Sequence, residues 1–113
     1  MNQAVVALWD TLRSIAFGAT SAAYAKIGTP FTHECRILTL QNLTDAQMIF
    51  STDGVNDGKT LPAGGQLIID YMSDKSEVAG ALYLPAGTQI WVKTPGAPST
   101  GNVYVSVDYG KGE

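Results

Sequence analysis

The sequence contains very little cysteine, histidine or charge. Its one cysteine, Cys35, excludes an internal disulfide and therefore a disulfide-stabilised secreted scaffold. One cysteine and one histidine also cannot form a zinc site of the usual cysteine and histidine type. Charged residues make up 15% of the 113 residues and the net charge is −3, which is not the basic footprint of a nucleic-acid-binding protein. We therefore expect no metal, no cofactor and no nucleic-acid partner.

Long apolar runs and targeting signals are missing as well. No run approaches the ~18 apolar residues that a membrane helix needs. The first residues, "MNQAVVALWDTL", have no basic region, and Asp10 interrupts their apolar stretch. We therefore expect neither a signal peptide nor a membrane partner. Without a secretion signal, Asn42-Leu43-Thr44 is interpreted as a turn, although it matches the pattern for N-glycosylation.

Alternating apolar and polar residues dominate the chain from about residue 35. In "NVYVSVDYG", Val103, Val105, Val107 and Tyr109 share one face, and "TQIWVKT" places Ile90 and Val92 inward in the same way. A period of two is typical of half-buried strands. Similar segments are "CRILTLQNL", "QMIFS" and "GQLIIDYM", and "LRSIAFGAT" and "AAYAKIG" add two weaker ones. Turn residues separate them, so we predict an all-β fold, an antiparallel β-sandwich of jelly-roll type with about eight short strands.

The N-terminal residues follow a different pattern. Val5, Leu8, Trp9 and Leu12 are spaced as one face of a short helix. Such a helix is too short to be stable alone in water, so it must dock on its own sandwich or on a neighbouring protein. We therefore divide the chain into an N-terminal arm or short helix, residues 1–12, and a β-sandwich domain, residues 13–113.

The stretch "DGVNDGKT", residues 53–60, resembles two kinds of binding loop. A phosphate loop needs glycine at the position of Asp53 and a helix afterwards, whereas "LPAGGQLII" follows here. Asp53, Asn56 and Asp57 could supply oxygen ligands for calcium, but the spacing of an EF-hand is absent. Asp-Gly steps favour the positive φ of tight turns. We interpret the stretch as an exposed loop that binds neither phosphate nor metal.

A catalytic site is the next possibility. His33 and Cys35 would share one face of an extended strand and could meet. A lone cysteine at the start of a strand, however, is usually a small buried hydrophobic residue. The pattern assembles no nucleophile, base and orienting group. We therefore predict no catalytic residues and a protein that is not an enzyme.

Three aromatic residues lie opposite the aliphatic stripes of their strands. They are Tyr83, Trp91 and Tyr104. If their strands are neighbours, these side chains form a platform of the kind on which sugar-binding modules stack saccharides. The alternative is that the N-terminal segment or another subunit covers this face. Both interpretations remain open at this point.

Longer phrases of the sequence resemble a known group of proteins. They are "GTPFTHECRILTLQNLTDAQMIFSTDGVNDGKTLPAGGQLIIDYMSDKS" and "LPAGTQIWVKTPGAPSTGNVYVSVDYG", and they cover most of residues 28–110. They resemble small virion structural proteins of tailed bacteriophages, and most of all the capsid decoration proteins, also called cement or staple proteins, of short-tailed phages. Head–tail joining and tail-collar proteins are a second possibility within that group. A carbohydrate-binding β-sandwich module is an alternative outside it.

This resemblance implies a non-enzymatic role on the outside of the capsid. The partners would be the major capsid protein and copies of the chain itself in a symmetric oligomer, bridging coat subunits to stabilise the shell. The protein would be made in the bacterial host cytoplasm and end on the capsid surface of the virion. Because buried tryptophan dominates interface energetics, we expect Trp9 to lead the contacts. The predicted interaction residues are Val5, Leu8, Trp9, Leu12, Tyr83, Trp91 and Tyr104.

Overall fold

The protein is all-β. The structure, a computed structural model, describes residues 5–70 and 84–112. The strands in this part of the chain are β1 (Val5–Trp9), β2 (Arg13–Ala16), β3 (Ala25–Lys26), β4 (Ile37–Asn42), β5 (Met48–Ser51), β6 (Lys59–Leu61), β7 (Gln66–Asp70), β8 (Trp91–Lys93) and β9 (Asn102–Gly112). One 3₁₀ turn, Phe17–Ala19, follows β2. No helix of the described ranges is long and apolar enough to cross a membrane.

The strands form two antiparallel sheets. The five-stranded sheet has the order β1-β9-β4-β7, and β2 pairs with β9 on the same edge as β1. β1 takes the C-terminal half of β9 and β2 the N-terminal half, so the two short strands continue one line. The four-stranded sheet has the order β3-β8-β5-β6. The expectation of an all-β fold with antiparallel sheets is therefore confirmed.

In the described ranges, one hydrophobic core lies between the sheets. In β9, buried residues alternate with half-buried ones, and Val103, Val105 and Val107 are at most 1% exposed. Leu38 and Leu40 of β4 extend this core in the same sheet. The four-stranded sheet contributes Met48, Phe50, Leu61 and Val92, and Ile90, just before β8, joins them. The inward orientation that the alternating pattern predicted is confirmed for Ile90, Val92, Val103, Val105 and Val107. Tyr109, predicted on the same face of β9, is half-buried and stacks on His33.

The prediction of a short helix around Trp9, made from the spacing of apolar residues, is wrong. Residues Val5–Trp9 are a strand, in which Val5 is opposite Gly112 and Trp9 is opposite Asp108. A helix of this length has too few internal hydrogen bonds to offset its nucleation cost, whereas β9 offers a ready strand edge. The apolar residues therefore point to alternate sides: Leu8 is half-buried and Trp9 is exposed.

Candidate functional site

The structure brings some of the predicted interaction residues together and separates others. We call the side of the five-stranded sheet that points away from the core the outer face. Trp9 lies on it because Trp9 is opposite Asp108, which alternates with the buried Val107. Tyr104 is on the same face. Val5 lies in β1, Leu8 is half-buried, and Tyr83 is outside the described residues.

The outer face carries exposed apolar side chains among polar ones. Trp9 is 85% exposed, and Leu12 and Ile68 are 59% and 58% exposed. Cross-strand pairing places Trp9, Asp108 and Ile37 in one row, with Asp70 at the far edge. The next row holds Ser106, Thr39 and Ile68. Single exposed apolar residues are ordinary, but several on one face mark a candidate contact surface.

A cleft beside Trp9 gives this surface its shape. It has a volume of about 360 Å³, with Trp9 and Leu12 as walls and residues 106–108 of β9 as floor. The cleft exists because the chain leaves β9 between β1 and β2. Asp10 donates its backbone N–H to the carbonyl of Val107 at 2.9 Å, and pairing resumes at Arg13. We call this opening the Trp9 cleft.

A buried arginine holds the corner that carries the cleft. Arg13 is 3% exposed. Its guanidinium donates hydrogen bonds to the backbone carbonyls of Thr11, Thr29 and Pro30 at 2.5 to 2.7 Å. It lies 3.6 Å from the Asp10 carboxylate. Charge-assisted bonds of this kind are stronger than neutral ones, so the corner is fixed to the loop that precedes Phe31.

Asp10 is the second fixed point of the corner. Its carboxylate accepts hydrogen bonds from the Thr11 N–H and from the N–H and hydroxyl of Thr32. Burial alone would raise the pKa of the Asp10 carboxyl, but the Thr32 hydroxyl, these amides and the Arg13 charge lower it to about 2. His33 adds a contact at 3.6 Å and stacks on Tyr109 with ring centroids 3.7 Å apart.

Trp91 lies in the other sheet and is covered by a loop of its own sheet. A Cβ added to Gly54 would come within 2.9 Å of Trp91 ring carbons, so the Gly54 backbone lies directly on the indole. Lys26 places its ammonium 5.4 Å from the ring centroid, in range of a cation–π contact. The loop between β5 and β6, residues 52–58, thus folds over the four-stranded sheet.

A polar cluster fastens the far end of this loop. The Tyr24 hydroxyl donates a hydrogen bond to Asp57 at 2.5 Å, and the Lys93 ammonium contacts the same carboxylate oxygen at 3.0 Å. Burial and this bond to Asp57 raise the pKa of Tyr24 to about 12. The bond from Tyr24, followed by Lys93, lowers the pKa of Asp57. The loop is therefore held at both Gly54 and Asp57.

The aromatic platform that the sequence suggested is not formed by Trp91 and Tyr104. Trp91 belongs to β8 of the four-stranded sheet and Tyr104 to β9 of the five-stranded sheet. The two side chains therefore lie on opposite outer sides of the common core. A saccharide cannot stack on both at once.

The side chains of the loop satisfy one another. The Asp53 carboxylate accepts hydrogen bonds from the Ser51 hydroxyl, from the N–H groups of Val55 and Asn56 and from the Asn56 side chain. These bonds, led by the Asn56 amide, lower the pKa of Asp53. Across residues 5–70 and 84–112, no group of three histidine, cysteine, aspartate or glutamate side chains is placed to hold a metal.

Cys35 and His33 have different environments. Cys35 is fully buried, and burial, with the charges of Asp108 and Asp10, raises the pKa of its thiol to about 12. Only the thiolate is a good nucleophile, so this environment disfavours covalent chemistry. The His33 ring is instead engaged by Tyr109 and Asp10.

Asn42 is an interior residue. It is fully buried, and its side-chain amide donates to the carbonyls of Ala46, Leu61 and Pro62. Its side-chain oxygen accepts bonds from the N–H and hydroxyl of Thr44. The interpretation of Asn42-Leu43-Thr44 as a turn agrees with this geometry, in which the asparagine ties two loops together.

Sequence reasoning missed one feature of the outer face and one feature of the corner that carries the Trp9 cleft. Ile68 lies in the segment "GQLIIDYM", whose sequence does not say which side of the strand meets the solvent. Arg13 gave no local signal, because its three carbonyl acceptors come from residues 2 to 17 positions away.

Comparison with protein-family models, with curated proteins and with solved structures found no match.

Proposed function

We propose that the protein is a non-enzymatic structural protein of a phage virion, which binds the outside of the capsid through its outer face and bridges coat subunits. The observation that carries this proposal is Trp9, 85% exposed at the mouth of the Trp9 cleft with Leu12 beside it. Exposed aromatic residues beside a cleft are typical centres of protein–protein interfaces. The sequence resemblance supplies the identity of the partner.

The rigidity of the corner supports a binding role for Trp9. Binding costs free energy whenever flexible groups must be ordered. Trp9 of β1 is opposite Asp108 of β9. The next residue, Asp10, accepts a hydrogen bond from Thr32 and lies beside the guanidinium of Arg13. The indole is therefore presented from backbone that is already ordered, which lowers the cost of docking on a coat subunit.

The strand order supports a jelly roll as the scaffold. If β1 and β2 are counted as one interrupted strand, the first strand pairs with the last, β3 with β8, β4 with β7 and β5 with β6. This nested pairing of eight strands in two sheets is the pattern of a jelly roll, a fold common in viral capsid proteins. We therefore propose the jelly roll as the finer description of the fold.

The side chains of the outer face indicate which kind of coat-protein surface would complement it. Asp108 lies beside Trp9, while Thr39 and Ser106 are uncharged. A coat surface with an apolar pocket flanked by lysine or arginine complements this arrangement. Each contact can be weak, because many copies bound to a symmetric shell, or linked in an oligomer, gain affinity through multivalency.

The copy number of the protein in purified virions tests the proposal. We expect quantitative mass spectrometry of phage particles from cells carrying this gene to find an abundance close to that of the major capsid protein. A few copies per particle would instead favour a head–tail joining or tail-collar protein. Absence from the particles would overturn the proposal.

Variants of the protein test the role of the outer face. We expect Trp9→Ala to weaken co-sedimentation with capsids that lack the protein by at least about tenfold, as for a residue central to an interface. Val55→Ala is the matched control, because Val55 is 75% exposed but lies on the loop of the other sheet. Equal binding of both variants would remove the outer face from the contact.

A further inference from the structure

The N-terminal strand forms part of a ribbon that extends past its sheet. The pairing of β4 with β9 ends where Ile37 is opposite Asp108. From Tyr109 to Gly112, the strand that pairs with β9 in the described part of the chain is β1. A two-stranded ribbon is marginally stable in water on its own. A further strand would therefore stabilise this end of the molecule.

One edge of β1 is unpaired, and backbone N–H and C=O groups point toward it. Because Asp10 donates its N–H to Val107 of β9, alternation directs the N–H and C=O groups of Ala7 and Trp9 away from β9. Within the residues that the structure describes, no strand pairs with β1 on that side. Its five residues, "VVALW", include no charge, proline or glycine. Natural edges usually carry such residues to prevent pairing with another chain.

We propose that a second copy of the chain pairs with this edge, β1 against β1, antiparallel across a two-fold axis. With Ala7 opposite the partner's Ala7, Val5 falls opposite the partner's Trp9. These three positions have outward-facing backbone groups, so the pairing forms roughly six hydrogen bonds. The two five-stranded sheets then become one continuous sheet. This inference does not rest on the proposed function, because the bonds lie in the plane of the sheet and leave the outer face open.

Charge favours a second copy at the edge over a second copy on the outer face. A two-fold axis through Ala7 brings only the uncharged residues of β1 opposite one another. Face-to-face dimerisation would instead bury the acidic residue Asp108 beside its own apolar patch and gather like charge in one interface. At the edge, two identical molecules can therefore meet without placing like charges opposite each other.

Sedimentation velocity over about 1 μM to about 1 mM protein, the range of weak to moderate affinities, tests the pairing. We expect the wild type to reach twice the monomer mass. Ala7→Lys and Ala7→Asp place like charges opposite each other, so we expect each variant alone to be monomeric and their equimolar mixture to regain the dimer. Thr60→Lys is the control, because Thr60 is exposed on edge strand β6 of the other sheet, and we expect it to dimerise like the wild type.

A wild type that stays monomeric at every concentration would overturn the proposal. So would Ala7→Lys and Ala7→Asp variants that each still form dimers alone. A mixture of the two variants that stays monomeric, although circular dichroism shows both to be folded, would overturn it as well. If either variant does not fold, hydrogen exchange of the wild type decides. We expect the amides of Ala7 and Trp9 to become protected as the concentration rises, and concentration-independent exchange would sink the idea.

Discussion

Both tryptophans lie on the outer side of a sheet, but their surroundings differ. Trp91 lies on the outer side of the four-stranded sheet, where Gly54 covers its ring and Lys26 lies over it. Trp9 lies on the outer side of the five-stranded sheet and is 85% exposed. Trp91 belongs to the inner strand β8 and Trp9 to the edge strand β1, a difference that the local sequence does not show. What the rest of the chain places over each ring determines its role.

The difference arises from the connections next to each tryptophan. The loop of residues 52–58 has a glycine that fits against the indole of Trp91 and an aspartate that reaches Tyr24. The corner between β1 and β2 is shorter than this loop. Its polar side chains point inward, where Asp10 contacts Arg13. Trp91 is therefore held by the fold, whereas the side chain of Trp9 stays exposed.

The largest expected effect is the difference between the two alanine substitutions. We expect Trp91→Ala to lower the free energy of unfolding by about 2 to 3 kcal/mol, because a large packed ring is lost. We expect Trp9→Ala to change it by less than about 0.5 kcal/mol, as for an exposed side chain. Urea unfolding followed by circular dichroism measures both. Equal losses would mean that Trp9 also packs against the fold, and the comparison would fail.

The second prediction concerns the corner that presents Trp9. The pKa of Asp10 is lowered from 3.8 to about 2 in the folded protein, so its charge stabilises the fold at neutral pH. From the size of that shift, we expect Asp10→Asn to cost about 2 kcal/mol at pH 7. A lowered carboxyl pKa contributes above the unfolded value and is lost as the pH falls through the folded value.

The gap in stability between the wild type and Asp10→Asn therefore depends on pH. We expect it to be constant above about pH 5 and to close between about pH 4 and about pH 2. Urea midpoints measured at several pH values test this. A gap that persists at pH 2 would show that the Asp10 side chain acts through its shape and its neutral hydrogen bonds instead of its charge.

The third prediction isolates the contact between Gly54 and Trp91. Gly54 and Gly64 have φ of 74° and 76°, a backbone conformation that costs any other residue free energy. A Cβ at Gly64 meets nothing within 4 Å, whereas at Gly54 it meets the Trp91 ring. We expect Gly54→Ala to cost about 1 kcal/mol more than Gly64→Ala. Urea unfolding measures both, and equal costs would mean that the loop moves away from the ring without loss.

The strands could be predicted from the sequence because alternation is a local signal. Val103, Val105 and Val107 repeat every second residue, and all three are buried. The N-terminal strand could not be predicted in this way, because Val5, Leu8 and Trp9 fit a helical period equally well. Pairing with β9, about a hundred residues away in the sequence, decides between the two. Local periodicity does not contain that information.

The site was harder to predict than the fold for the same reason. Trp9 was predicted to lie on the docking face of a short helix, where the structure has a strand, and grouping Trp91 with Tyr104 required the order of strands in the sheets. That order depends on pairing between distant strands, such as β3 with β8 and β4 with β9. The cover over Trp91 depends on Gly54. The sequence predicts a turn at this glycine, but it does not predict the contact between the glycine and the Trp91 ring.

The smallest expected effect separates the two attachments of the loop over Trp91. Tyr24→Phe removes the hydroxyl that donates to Asp57 but keeps the ring beneath the Lys93 ammonium, 4.7 Å from the centroid. We expect the free energy of unfolding to change by less than about 0.5 kcal/mol, because the bond is close to solvent. Since this bond is the first cause of the lowered pKa of Asp57, we expect that pKa to rise in an NMR titration. Because the chain has two tryptophans, Trp91 fluorescence is recorded with Trp9→Phe in every protein. Emission that Tyr24→Phe leaves unchanged assigns the cover to Gly54, whereas a red shift as large as in Gly54→Ala would assign it to the Tyr24–Asp57 bond.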